Sequence, residues 1–177
     1  MNLCSVLNCC LKAPIGILNI SYCGKGIHSI EISQILGIAA LTFDGALQKF
    51  SSDKVLMECV QWLKLYFDSE FEAVKKSFPS ICPTIFASKG KFTACVWKTL
   101  ASKVPPGETV SYGALAALCG NEGAGRAVGT AMATNPIPLV VPCHRVIRSD
   151  GTLGQYSRGK KNDIKEWLLA HEGAIHS

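Results

Sequence analysis

Apolar and polar residues alternate between positions 12 and 35, around a Cys23-Gly24-Lys25-Gly26 turn. Ile15, Ile17, Ile20 and Tyr22 stand before the turn, and Ile27, Ile30 and Ile32 after it. A period of two around a glycine turn predicts an antiparallel hairpin. The period then changes. Val55, Leu56, Cys59, Trp62, Leu63 and Tyr66 follow helical spacing over residues 53–69. Pro, Ser and Gly in Ser77–Pro83 and Ser88–Gly90 interrupt the pattern, which places a boundary near residue 88 and predicts domains 1–88 and 89–177.

The second half reads as helices. Phe92, Cys95, Val96, Thr99 and Leu100 mark one, stopped by Pro105-Pro106-Gly107. Ser111–Cys119 is a short helix with Ser111 as N-cap. After the turn Gly120-Asn-Glu-Gly-Ala124, residues 124–134 form another, ended by Asn135-Pro136. Two short helices joined by a glycine-containing turn predict a helix-turn-helix. Residues 137–147 read as extended, Asp150-Gly151 as a hairpin-type turn, and Ile164–His171 as a last helix capped by Asn162 or Asp163 and ended by Gly173. The fold class expected is α+β: a small antiparallel sheet with helices, then a mostly helical domain with a helix-turn-helix and an active-site hairpin.

The chain has 177 residues, 48% apolar, and a formal net charge of +5, which suits a globular protein with a polyanionic partner. Its longest apolar runs, such as Leu36–Phe43, are too short to span a membrane, so no membrane partner is expected. Residues 1–11 lack the basic cluster of a signal peptide, and Lys160-Lys161 is too short for a nuclear-import run. Nine cysteines, an odd number without a secreted spacing, point to a reducing compartment with free, metal-bound or reactive thiols.

Cys143-His144 is the candidate reactive pair. An imidazole is the usual partner that lowers a thiol pKa, and Arg145 adds positive charge nearby. On an extended segment adjacent side chains face opposite ways, so the pair needs a backbone kink at Pro142 or a bridging water. The bland alternative is a buried structural cysteine beside a satisfied histidine. Gly123-Ala-Gly-Arg-Ala-Val-Gly129 is no dinucleotide fingerprint, because its third glycine is one residue late and a helix precedes it.

The run Asn135-Pro-Ile-Pro-Leu-Val-Val-Pro-Cys-His-Arg-Val146 resembles the signature of the O6-alkylguanine-DNA alkyltransferases. Gly107–Tyr112, Arg126–Gly129, Gly154–Ser157 and Glu166–Gly173 agree with that family in order and near its spacing. The match is strong over residues 92–173 and weaker before them.

The resemblance implies a two-domain protein that moves an alkyl group from O6 of an extruded guanine in double-stranded DNA to Cys143, once and irreversibly. O6-methylguanine would be the main lesion and O4-methylthymine a second. His144 would take the thiol proton through a water, Glu172 would hold the imidazole, and Tyr112 would rotate the nucleotide and relay a proton. Tyr156, Ser157, Val146, Asn135, Pro138 and Met132 would shape the pocket. Ser157 would donate to O6, and the Cys143 and Val146 carbonyls would accept from the exocyclic amine. Arg126 would fill the gap in the base stack. Ala124, Gly125, Ala127 and Gly129 would let the recognition helix approach the minor groove, with Ser111 and Arg158 also on DNA. The resemblance implies no cofactor for catalysis. Some members of that family hold a structural zinc on two cysteines and two histidines; Cys4, Cys23 and His28 fall at three such positions and Cys82 near the fourth, which would make a Cys3His set, with Cys9 and Cys10 as competitors and unrelated buried thiols as the bland alternative. A monomer in the nucleus is expected.

One departure stands out. Arg158-Gly159 occupies a position where the family has Gly-Gly, and the loop after it is longer. Arg158 is expected to crowd the pocket lip and slow reaction with O6-benzylguanine relative to O6-methylguanine. Two rival functions remain: a cysteine hydrolase, which lacks an oxyanion motif here, and a lesion sensor without transfer, which would not need Cys143.

Overall fold

The computed structural model describes residues 4–34, 39–156 and 160–175. It divides into two compact units, Met1–Ile85 and Phe86–Ser177.

The first unit is built on three antiparallel strands, β1 (Leu7–Ala13), β2 (Gly16–Cys23) and β3 (Gly26–Ser33), in the order β1-β2-β3. The β2–β3 pair is the expected hairpin, with Cys23 opposite Gly26. The family resemblance implies a three-stranded sheet, but the alternation along the chain does not place its third strand, β1. It pairs along its whole length with β2, from Leu7 opposite Tyr22 to Ala13 opposite Gly16. The inner face buries Cys9, Leu11, Leu18, Ile20, Ile27, Ile30 and Ile32. Helix α1 (Phe43–Lys49) was also missed, whereas α2 (Lys54–Phe67) falls where helical spacing put it. Asp53 caps α2 by accepting from the Leu56 amide, and Leu56, Cys59, Trp62, Leu63 and Tyr66 form its buried face. The expected linker contains α3 (Phe71–Lys76) and α4 (Thr84–Ala87), and the division between the units falls within α4.

Gly26 permits a close approach of two backbones. Its φ is +144°, and a Cβ there would stand 2.5 Å from the Cys82 amide nitrogen and the Ile81 carbonyl carbon. Only glycine lets segment 80–82 lie against β3, where Ile27 donates to Ser80 and accepts from Cys82. The approach brings Cys82 to Cys23.

The second unit holds α5 (Lys91–Lys103), β4 (Val110–Ser111), α6 (Tyr112–Leu118), α7 (Gly125–Ala133), β5 (Val146–Ile147) and α8 (Asn162–His171). Ser111 caps α6 as expected, its hydroxyl accepting from the Ala114 amide at 3.1 Å. Gly120, at φ +72°, ends α6 and starts the turn into α7. Buried Trp97 of α5 donates to the Ala131 carbonyl of α7 at 2.9 Å, fixing α7 on α5. No helix among the described residues is long and apolar enough to cross a membrane.

Three local expectations fail. Residues 137–147 are not extended. Leu139 has φ +72°, Cys143–Arg145 is a single 3₁₀ turn, and only Val146–Ile147 is strand. The expected active-site hairpin is absent among the described residues. The turn at Asp150-Gly151 closes through Arg148 and Thr152, but β5 pairs in parallel with β4. Neither Asn162 nor Asp163 caps α8, whose N-cap is Lys161. The Asn162 side chain instead accepts from the Tyr156 amide at 2.8 Å.

Candidate active site

The 3₁₀ turn decides the geometry. Arg145 N–H bonds the Pro142 carbonyl at 2.9 Å, which curls Cys143, His144 and Arg145 around one turn instead of along a strand. All three are buried. Asn135 braces the preceding loop, donating to the Val141 carbonyl at 2.8 Å and accepting from the Ile137 amide at 3.0 Å.

Glu172, past the end of α8, organises the other side. One oxygen lies 2.7 Å from His144 Nε2 and 2.8 Å from an Arg145 guanidinium nitrogen, and the second accepts from Arg145 Nε at 2.9 Å. Arg145 also donates to the Val104 carbonyl at 2.7 Å. Burial alone would raise the Glu172 pKa, but His144 and Arg145 outweigh it and hold the carboxylate well below its usual range. Burial lowers the His144 pKa and Glu172 only partly offsets this, so the imidazole is neutral at neutral pH. With Nε2–H donated to Glu172, Nδ1 keeps its lone pair. That atom is buried and has no partner among the described residues. A neutral imidazole oriented by a carboxylate is a general base.

Burial pushes the Cys143 thiol up, against the lowering effects of Asn135, Lys165 and Tyr156. It therefore rests protonated and needs that base. The expectation that Arg145 would favour the thiolate is corrected, because its guanidinium is engaged by Glu172. Lys165 is the nearby cation. It is fully buried, donates to the Val146 carbonyl at 2.6 Å, and burial lowers its pKa to about 8 although Cys143 opposes this.

Cys143 opens on a cavity of about 460 Å³, a size that suits a small-molecule or base-sized ligand, with Tyr112, Arg126, Gly129, Met132 and Tyr156 among its lining. Arg148 also lines it. The Tyr156 hydroxyl is buried beside the Cys143 sulfur with no nitrogen or oxygen partner among the described residues. Burial raises the Tyr112 pKa. Other expected positions fall elsewhere. Pro138 is half-buried and is not among the residues lining the cavity. Gly125 faces Tyr112 and Gly113 of α6, Ala124 is the N-cap of α7, and Ala127 is exposed. Ser157 and Arg158 lie outside the described residues. Lys165 was missed, although its position was readable. It shares the buried stripe of α8 with Ile164, Leu168 and Leu169.

The model of the 6-O-methylguanine DNA methyltransferase DNA-binding domain matches residues 91–174. The methylated-DNA–protein-cysteine methyltransferase of Mus musculus is 38% identical, with 96% of this chain and 82% of that protein covered. The protein of the same name from Homo sapiens is 37% identical over the same shares. The chain belongs to the methylated-DNA–protein-cysteine methyltransferase family. Among solved structures, the Mycobacterium tuberculosis O6-methylguanine methyltransferase superposes with a TM-score of 0.69 at 28% identity, covering 97% of this chain and 95% of that one. The same organism's OGT, solved in complex with DNA, gives 0.67 at 28% identity, covering 94% and 92%.

This methyltransferase-family chain carries a second cysteine–histidine cluster in its first unit. The ligand atoms of Cys4, Cys23, His28 and Cys82 all lie within 4.8 Å of one another. The Cys82 sulfur stands 3.9 Å from that of Cys4 and 3.8 Å from that of Cys23. A tetrahedral zinc with Zn–S near 2.3 Å would set its sulfurs about 3.8 Å apart. Buried His28 Nε2 has no hydrogen-bond partner among the described residues, and the Lys25 amide donates to the Cys23 sulfur at 3.3 Å. The donor set therefore fits zinc. Cys9 and Cys10, the expected competitors, are not in the cluster. Cys10 bonds Asn19, and Cys9 lies on the buried sheet face.

Proposed function

We propose that this chain repairs DNA directly, by transferring the alkyl group of O6-alkylguanine to the Cys143 sulfur. The observation that carries this reading is a buried thiol lining a base-sized cavity, followed in the chain by a neutral histidine that a carboxylate orients. His144 Nδ1 takes the thiol proton through a water, and Glu172 stabilises the imidazolium that forms. The thiolate attacks the alkyl carbon in line with the O6–carbon bond. The carbon–sulfur bond forms as the carbon–oxygen bond breaks, and the electron pair leaves on guanine. The proton returns to guanine, with Tyr112 as relay. The thioether has no route back, so each molecule acts once. No cofactor takes part.

The base must leave the stack to reach Cys143. Arg126 fills its place, Tyr112 rotates its phosphate, and α7 lies in the minor groove, where exposed Ala127 and open Gly129 permit close approach. O6-methylguanine is the main substrate and O4-methylthymine a second. Cys4, Cys23, His28 and Cys82 hold a structural zinc, which ties segment 80–82 to the sheet and takes no part in the transfer. The protein acts as a monomer in the nucleus, where a chromosomal substrate lies.

Incubation with duplex DNA carrying radiolabelled O6-methylguanine tests the reading. Label should pass to the protein stoichiometrically and fail to pass to Cys143→Ala. Binding without label transfer would instead make the chain a lesion sensor. Metal analysis of purified protein, with Cys23→Ser as control, tests the zinc.

A further inference from the structure

We propose that Arg148 binds a backbone phosphate of the extruded nucleotide, beside Tyr112, and so holds the lesion base over Cys143. The proposal rests on the reading above, because it needs a nucleotide turned out of its duplex. No step of that reading uses Arg148.

Regular backbone places Arg148 beside Tyr112 at the cavity. The parallel pairing of β4 with β5 sets Val110 opposite Val146 and Ser111 opposite Ile147. Tyr112 and Arg148 are the next residue along each strand, so both leave the end of one short ladder, where paired strands lie about 4.8 Å apart. Both side chains line the cavity, and both face Gly154. A Cβ on Gly154 would stand 3.4 Å from the Tyr112 hydroxyl and 3.6 Å from Arg148 Cγ. The Arg148 backbone is tied into the turn after β5. Its amide donates to the Thr152 carbonyl at 2.9 Å, and its carbonyl accepts from the Gly151 amide at 3.0 Å.

The other cations near Cys143 are engaged. Lys165 is buried on the Val146 carbonyl, and Arg145 is held by Glu172 and the Val104 carbonyl. Arg148 is exposed, and its side chain forms no hydrogen bond or ion pair among the described residues. The nearest acid in the chain, Asp150, turns one carboxylate oxygen to the Thr152 amide and hydroxyl, at 2.9 and 2.7 Å. Among the described residues no carboxylate lines the cavity, whereas Arg126 and Arg148 both do. Arg126 is taken up by the gap in the base stack, which leaves Arg148 for the backbone of the extruded nucleotide.

A phosphate suits this position chemically. A base seated in the cavity leaves its sugar and phosphates at the mouth. A guanidinium presents a planar fork of N–H donors that matches two phosphate oxygens. Burial raises the Tyr112 pKa and Arg148 only partly offsets this, so the phenol keeps its proton and can donate to the same phosphate. Arginine supplies the charge and tyrosine a single directed hydrogen bond. Gripping the phosphate fixes the sugar, and the sugar fixes the reach of the O6-alkyl carbon toward the Cys143 sulfur.

Equilibrium binding to a duplex with one O6-methylguanine tests this, using the full chain with Cys143→Ala so that no transfer intervenes. Each phosphate flanking the lesion is replaced in turn by a neutral methylphosphonate. At one flank the neutral linkage should weaken binding by about ten-fold. Arg148→Gln should weaken binding to the unmodified backbone by about as much and reduce the slope of log affinity against log salt by about 1. With Arg148→Gln in place, the same neutral linkage should cost less than about two-fold, since its partner is gone. Arg148→Lys should recover part of the loss, because it keeps the charge without the fork. The melting temperature of either variant should stay within about 2 °C, as for other exposed side chains. Independent losses from the variant and from the neutral linkage at both flanks, or an equal loss on undamaged duplex, would overturn the proposal. All of these readouts are of binding, so a wild-type chain that takes up no label would count against alkyl transfer and leave the phosphate contact to be decided by the coupling.

Discussion

At Cys143 one thiol stands among a buried lysine, a tyrosine and an asparagine, and its histidine is turned toward a carboxylate. At Cys82 three thiols crowd one imidazole whose Nε2 has no protein partner among the described residues. The residue types are the same and the surroundings are opposite. A reactive thiol needs a base for its proton and donors that stabilise its charge. A metal site needs several donors aimed at a common point and no protein group occupying it. The partner of the histidine's outer nitrogen separates the two cases: Glu172 makes His144 a base, and the orphaned Nε2 of His28 makes it a ligand.

The largest test of this contrast replaces one cysteine at each site. Cys143→Ala should abolish label transfer while leaving the melting temperature within a few degrees, since the side chain borders a cavity. Cys23→Ser should do the reverse. It should lower the melting temperature by about 5–10 °C and leave the transfer rate per folded molecule within about two-fold. Loss of chemistry in both variants at full stability would erase the distinction.

Glu172→Gln should come next. It leaves Arg145 buried without its counter-charge, a loss of about 3–5 kcal/mol. It also removes the orienting carboxylate from His144, and transfer should slow by about 10²–10⁴-fold. The pH dependence has a definite sign. A carboxylate held low in the folded state stabilises above its unfolded pKa of about 4.3, and that stability disappears as pH falls through the lower folded value. Acid unfolding of the wild type should therefore steepen below about pH 4, and the variant should lack that component. Transfer by the wild type should persist below the ordinary histidine pKa of about 6.5, because burial depresses that of His144.

How much of this was legible in the chain depends on which interactions decide each element. The β2–β3 hairpin, α2, α5, α6 and α7 follow local signals: alternation, helical spacing, the Ser111 cap and the Gly120 stop. β1 contains Asn8 and Lys12 among its apolar residues, and its pairing with β2 settles it, which no local window shows. α1 has only seven residues and depends on packing against α2. Residues 137–147 read as strand because Ile, Leu and Val crowd there. The positive φ of Leu139 and the curl at Cys143 are set by Asn135 and by burial. Cys143, His144 and Glu172 were legible through the resemblance. Why they work together was not, since Arg145 was assigned to the thiol and belongs to the carboxylate. Lys165 was passed over because a charge in a buried stripe contradicts the usual pattern, and such contradictions cluster at functional sites.

Lys165 gives the smallest and sharpest effect. Its ammonium sits on the Val146 carbonyl at 2.6 Å, and its charge lowers the Cys143 pKa. Lys165→Met keeps the length and removes the cation, so transfer at pH 7 should fall by about ten-fold, as expected from losing about one pKa unit of thiolate stabilisation. Two pH signatures separate this from a packing defect. In the wild type the ammonium is lost as pH rises through about 8, so the gain from ionising Cys143 should flatten there, whereas the variant should keep rising. In stability the sign is opposite to that of Glu172. Burial disfavours the charged lysine, so the fold carries that cost below about pH 8. It sheds the cost between there and the ordinary lysine pKa of about 10.4. Wild-type stability should therefore gain an alkaline increment that Lys165→Met lacks. A variant with the wild-type pH–rate profile would show that Lys165 only fills space, and the cation beside Cys143 would have to be sought at Arg148.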